Sequence, residues 1–419
     1  MTLTQQPWAT ERFGLQIHDH DGAELATDLV LPGLRRNPRR AHLLVSTVLG
    51  KHIAVAPQTV IEAAGRLGRV IAQCGVGEVD VLGMAETATS LGHCVADELN
   101  AAVYLHTTRR PADARWIYAQ FQEGHSHATD HALQPTSPEV FDGQRTLVLV
   151  DDEISTGKTA LATIEALQRV VPRPRYIVAA LVDMRSADDQ ALVAEASASL
   201  STQIEFVSLA QGRVSLPVGL IDSVCAMEAP ALNTSAGPDA VCPVREVALK
   251  WPGTVPEGAR HGFLRTDRPA FDAAVSESAH RLAGVLDATR PVLVVGHEEL
   301  MYLPLRLADA LAQSGFDTRF QSTTRSPAYV YDDARYPLRA GWTFRASETG
   351  DEAPRFLYNG WLDTDGDQAV QLVLVVDAIA AAGDRHIVEV LASAGFEVTV
   401  VTVTGPDVRA LAGHREQCR

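Results

Sequence analysis

The sequence is short of cysteine, of basic residues and of long apolar runs, and each shortage excludes something. Its five cysteines, Cys74, Cys94, Cys225, Cys242 and Cys418, stand apart and form no C-x-x-C pair. That argues against a disulfide framework or a zinc site and fits reduced thiols in a cytoplasm. Lys and Arg number 36 against 52 Asp and Glu, a formal net charge of -16. So acidic a chain does not suit nucleic-acid wrapping or binding to an anionic membrane, although locally focused cations can still hold small anions. No apolar run is long enough for a membrane span. The opening MTLTQQPWATERFGL has no basic region followed by an apolar one, so no signal peptide is expected. The expectation is a cytoplasmic protein of small molecules, with no nucleic-acid or membrane partner.

What is present is an α/β pattern. The chain has 419 residues, 46% of them hydrophobic, enough to bury the cores of two or more domains. Short apolar strands alternate with amphipathic helices. Strands are predicted at 79–83, 101–107, 145–151 and 176–183, and helices at 90–99 and 158–171. The second half resumes with strands at 292–296, 372–378 and 397–403 and helices at 302–314 and 385–394. Between Arg110 and Gly143 lies a polar stretch too long for an ordinary connection, which reads as a functional lid. EAPALNTSAGPDAVCP, 228–243, is small, polar and proline-punctuated, and reads as a linker between domains at 1–227 and 244–419.

The halves echo each other. Both run strand, Gly-x-x-Glu (Gly83 to Glu86, Gly296 to Glu299), helix, strand, Thr-Thr-Arg. LVLVDDEISTGKT is matched by LVLVVDAIAAAGD. The second domain therefore reads as a degenerate repeat that has lost the acidic pair and the Ser-Thr of the loop. The alternative is that any two βαβ units look alike.

LVLVDDEISTGKTAL, Leu147 to Leu161, carries the chemistry. A buried strand ends in acids, a small-residue loop follows, and then a helix. That is a site at the carboxyl edge of a sheet. Backbone amides of Ser155, Thr156, Gly157, Lys158 and Thr159, with three hydroxyls, suit a phosphate monoester. The acids Asp151 and Asp152 cannot bind that phosphate and must face ribose hydroxyls or a hydrated Mg²⁺. A ribose 5-phosphate meets both demands. A Walker A loop would need Gly where Asp152 stands. The plain alternative is a solvated strand end before a capped helix.

The segment resembles the phosphoribosyl-diphosphate (PRPP) motif of type I phosphoribosyltransferases, and Thr-Arg-Ser-Pro at Thr324 to Pro327 resembles the signature of the TRSP domain. That domain follows a phosphoribosyltransferase-like domain in proteins of tellurium-resistance-associated biosynthetic clusters. The resemblance implies a Rossmann-like, mostly parallel N-terminal domain and a pentosyltransferase activity. Ribose 5-phosphate would pass from PRPP to a base-like acceptor in a nucleoside-like pathway, with Mg²⁺ as cofactor. It implies that Asp151 and Asp152 bind the ribose hydroxyls and the metal, and that 155–159 bind the 5-phosphate. Glu153 replaces an apolar residue of the family pattern, which sets the acceptor apart from the salvage bases.

Other candidates surround this motif. Ala85, Glu86, Thr87, Ala88 and Thr89 form the turn expected to hold diphosphate, with Glu86 an odd member that needs a basic neighbour or Mg²⁺. Arg109 and Arg110 offer guanidinium forks. His125 and His127 of the lid would protonate or neutralise the leaving group. Lys51, His52, Glu299, Arg325 and Ser326 are candidates for the acceptor. Arg35, Arg36, Arg39 and Arg40 read as a solvated face or partner contact. A homodimer is compatible with the pattern. A catalytically silent PRPP or nucleotide sensor and a Mg²⁺-dependent nucleotide hydrolase are the rival readings.

Overall fold

The computed structural model describes residues 6–20, 24–110, 117–122, 130–234, 242–347, 351–360 and 370–417. Five parallel strands form the centre of the first sheet: β1 (Val79–Gly83), β2 (Val103–His106), β3 (Thr146–Ile154), β4 (Arg175–Asp183) and β5 (Gln203–Ser215). Their order across the sheet is β2-β1-β3-β4-β5. The strand order reverses between β1 and β3, where connections leave on opposite faces and a crevice opens at the carboxyl ends. Helix α1 (Ala88–Glu98) follows β1, and α2 (Lys158–Val170) follows β3. Strands β1, β3 and β4 carry nearly continuous runs of buried Val, Leu, Ile and Ala because both sheet faces are covered there, while the outer β5 is only partly buried.

The second half builds β6 (Val244–Leu249), β7 (Val292–Gly296), β8 (Thr318–Ser322), β9 (Gln371–Asp377) and β10 (Glu397–Val403), ordered β8-β7-β9-β10-β6. All the pairings are parallel. Without β6, this is the order β2-β1-β3-β4 over again. The registers coincide as well. Gly83 lies opposite Val150 and His106, and Gly296 lies opposite Val375 and Ser322. Thr107 N–H donates to Gly83 O and Thr323 N–H to Gly296 O. The Thr107 hydroxyl accepts from Ala85 N–H, and the Thr323 hydroxyl from Glu298 N–H. The two Thr-Thr-Arg segments are thus spatial equivalents, and Arg109 matches Arg325. Asp152 matches Asp377, while Val376 stands where the first half has Asp151.

The halves pack through equivalent elements. Helix α1 lies against α3 (Tyr302–Gln313), the helix after β7, and His93 stacks on Tyr302 with ring centroids 3.5 Å apart. One cluster of buried apolar side chains runs from Val81, Leu91 and Val148 to Val294, Leu307 and Val373. Phe263–Leu264 of the second half pairs antiparallel with β2, extending the first sheet. No helix among the described residues is long and apolar enough to cross a membrane.

Candidate functional site

Strand β3 continues through the acids to Ile154, because Asp151 and Glu153 still pair with Ala180 and Val182 of β4. The acids are therefore fixed by the ladder at the sheet's carboxyl edge. The chain then turns through Ser155 and Thr156 to Gly157, whose φ is +77°. A Cβ there would also lie 3.1 Å from Arg185 Cδ and 3.3 Å from the Phe206 ring, so the turn requires glycine twice over. Gly157 at the N-cap of α2 has no side chain to offer; the Thr156 hydroxyl accepts from Lys158 N–H at 3.4 Å, and the next first-turn amides, which have no intrahelical acceptor, face a ligand or water.

A cavity of about 460 Å³ opens here, at the switch point of the first sheet. One wall is β3 and its loop: Asp151, Asp152, Glu153, Ser155, Thr156, Gly157 and Thr159. A second is the turn after β1, with Ala85, Glu86 and Thr87, beside Arg109. Lys51, Arg35 and Arg40 line a third side, and Thr324 to Pro327 of the second half a fourth.

Charges in this cavity are arranged in pairs. Lys51, one of only three lysines in the chain, places Nζ 3.0 Å from Asp152 Oδ2. Burial alone would raise the Asp152 carboxyl, but the Lys51 charge holds it below its ordinary value. Burial and the neighbouring Asp152 charge push Asp151 well above its own. Asp151 Oδ1 accepts from the Asp152 N–H at 2.9 Å. Arg40 Nη2 lies 2.8 Å from Glu153 Oε1. Burial and the Arg40 charge lower Arg35 to about 10.

The other expected residues divide. Arg325 and Ser326 line the cavity, and Glu86 finds its basic neighbour in Arg325, whose Nε is 3.3 Å from Glu86 Oε2. Lys158 is exposed at the helix start and Ala88 and Thr89 are buried in α1, so none of the three lines the cavity. His52 is buried against Tyr358. Arg110 turns the other way and pairs with Asp377. Glu299 accepts from the Thr108 hydroxyl at 2.7 Å and from Arg109 N–H at 2.8 Å, outside the cavity. His125 and His127 lie outside the described residues.

Sequence reasoning passed over two cavity arginines. Arg35 and Arg40 are not a solvated face. They flank the turn between the antiparallel strands Val30–Leu34 and His42–Ser46, which brings them over the cavity. Arg36 and Arg39, on the same turn, are exposed as expected. Nothing local distinguishes the four. Arg355, Asp351 and Arg260 were also missed, since their partners come from remote segments.

Residues 29–213 match the family described as phosphoribosyl transferase, and residues 257–391 match the TRSP domain that lies C-terminal to it. No curated protein matches the chain. Among solved structures it is similar to an adenine phosphoribosyl transferase from Trypanosoma brucei, at 17% identity and a TM-score of 0.29, covering 36% of this chain and 64% of that one. That is just under two thirds of the relative's length. It is likewise similar to adenine phosphoribosyltransferases from Rhodothermus marinus, at 19% identity, TM-score 0.31 and coverages of 44% and 95%, and from Giardia lamblia, at 18%, 0.31, 43% and 93%. At these scores the structural likeness adds no weight to the family match. The first half of the chain thus carries a region of the phosphoribosyl transferase family, and the second half the TRSP domain described as following it.

Proposed function

We propose that the protein moves ribose 5-phosphate from PRPP to a base-like small-molecule acceptor and releases diphosphate. One observation carries the reading: a single cavity is lined by the acid pair, the loop behind it and the turn after β1. The loop amides hold the 5-phosphate. Asp151 and Asp152 take the ribose hydroxyls, and ionised Asp152 stabilises positive charge developing at the anomeric carbon. Diphosphate leaves along the turn 85–87, next to Arg109. The acceptor enters from the side of Glu153, Arg35 and Arg40, polar where salvage enzymes of the resembled family carry an apolar residue. We place the boundary between the transferase and TRSP domains at 228–243, and the acceptor in a nucleoside-like pathway of the kind the resembled gene clusters encode.

Mg²⁺ fits as a companion of the substrate. Among the described residues no three His, Cys, Asp or Glu side chains form a cage, while Asp151 and Asp152 offer carboxylates on the cavity wall. One or two carboxylates plus substrate oxygens is the habit of Mg²⁺. Bound there with PRPP, the ion would neutralise charge on the diphosphate.

The test is diphosphate release from Mg²⁺–PRPP with a panel of heterocyclic and other nucleophilic acceptors. Release that depends on one acceptor class and disappears in Asp152→Asn is expected. Tight PRPP binding without turnover across the panel would leave a sensor. ATP or GTP hydrolysis that survives Asp151→Asn would leave a nucleotide hydrolase.

A further inference from the structure

We propose that Arg325, supplied by the second half of the chain, binds the diphosphate of PRPP, and that Glu86 holds it in place until the ligand arrives. The inference rests on the transferase reading above and deepens it.

The first observation is the repeat. Matching strand registers make Arg325 the counterpart of Arg109. The two guanidinium groups come from different halves yet line one cavity. Two such forks suit the oxygens of a diphosphate, which accept paired hydrogen bonds.

The second is a contrast between two glutamates at equivalent positions. Glu299 is satisfied: it accepts from the Thr108 hydroxyl and the Arg109 amide. Burial would raise it, but Arg260 and Arg110 hold it at about 2. Glu86 is also buried, at 7% exposure, and it lies in the turn after β1 that lines the cavity. Neither of its carboxylate oxygens accepts a hydrogen bond among the described residues. Its contact with Arg325 Nε is an ion pair at 3.3 Å. A buried carboxylate without hydrogen bonds is costly, so this pairing is easily exchanged. Burial and the Glu298 charge already push Glu86 up to about 7. When a diphosphate takes the guanidinium, Glu86 takes a proton from solvent and ceases to repel it.

The third is how Arg325 is held. Its Nη1 lies 3.2 Å from Asp351 and its Nη2 3.6 Å from Glu298. Fully buried Arg355 binds both of these acids at 2.7 Å. The two acids are therefore shared with Arg355, and they orient Arg325 at the cavity wall.

Isothermal titration of the full chain with Mg²⁺–PRPP, Mg²⁺–diphosphate and ribose 5-phosphate tests this. Arg325→Ala is expected to weaken PRPP and diphosphate roughly tenfold or more, with ribose 5-phosphate within about twofold of wild type. Equal weakening of PRPP and ribose 5-phosphate, or no change in either, overturns the assignment. Glu86→Gln keeps Arg325 and serves if Arg325→Ala fails to fold. It is expected to tighten diphosphate several-fold at pH 8, and weaker diphosphate binding in that variant would count against the exchange. If the wild-type chain binds none of the three ligands, the transferase reading itself falls, which is a separate result.

Discussion

Among the described residues, the two sheets carry crevices of the same topology, one open and the other filled. At the carboxyl edge of the first sheet, β1 and β3 part around a cavity of about 460 Å³. At the equivalent edge of the second sheet, between β7 and β9, Arg110 and Arg260 are packed against Glu299 and Asp377. The space remaining among them is about 20 Å³. Arg110 comes from the first half, so the segment that sends Arg109 into the open site sends its neighbour to close the other. A switch point supplies the crevice, and the side chains at the strand ends decide whether it is a site or an interface. The second half has the same strand order, carries Val376 where the first half has Asp151, and holds Glu299 and Asp377 in salt bridges.

The largest expected effect tests that division directly. Arg110→Ala leaves Arg260 as the one arginine paired with buried Asp377 and Glu299 among the described residues, and should cost about 3–5 kcal/mol of stability by denaturant titration. Arg109→Ala, one residue away, should cost little stability and instead raise the KM for PRPP. If both variants behave alike, the two crevices are not functionally distinct.

Next in size, Asp152→Asn should lower transfer about 10²–10³-fold, the scale of losing one transition-state charge partner. Asp377→Asn, its counterpart in the second half, should leave kcat unchanged for the molecules that remain folded. Single-turnover rates with PRPP and the identified acceptor read the difference.

A pH profile separates the crevices further. Burial would raise the Asp377 and Glu299 carboxyls, but the two arginines hold both at about 2. Groups depressed in the folded state contribute stability that is fully present above the ordinary carboxylate range and lost as pH falls toward 2. The loss should be on the order of 2 kcal/mol per group between about pH 4.5 and 2, seen as a falling Tm. Glu299→Gln should flatten it.

The smallest effect has the opposite sign. Glu86 is raised to about 7, so the folded state binds the extra proton and stability declines as pH climbs from the ordinary carboxylate value through 7. Glu86→Gln should remove the decline and raise Tm at pH 8 by roughly 1–3 °C, with little change at pH 5. A variant less stable at pH 8 would show that the Arg325 ion pair outweighs the burial cost.

Much of this was legible along the chain. Strands β1, β7 and β10 fall where apolar periodicity set them, because a buried parallel strand is a continuous apolar run with sharp polar limits. The acid pair and the loop 155–159 after it could be placed together at a strand end because their parts are consecutive. The repeat was visible in Gly-x-x-Glu and Thr-Thr-Arg, yet the spacing of 26 residues from Gly83 to Arg109 and 29 from Gly296 to Arg325 obscured it. Strand register brings the two motifs into line. Arg110 was misplaced because alternate residues at a strand end point in opposite directions, and its partner Asp377 lies 267 residues away.

The sequence by itself determined the alternation of strands and helices, the strand-end acid pair and the glycine turn into the helix after it. All three depend on neighbours within a few residues, through periodicity, turn geometry and helix-end amides. Only the tertiary structure decided which charges meet: Arg325 with Glu86, Lys51 with Asp152, Arg110 with Asp377. A charge has no sequence signature of its partner, because Coulomb attraction depends on distance and burial, and both are set by how the two sheets close on one another.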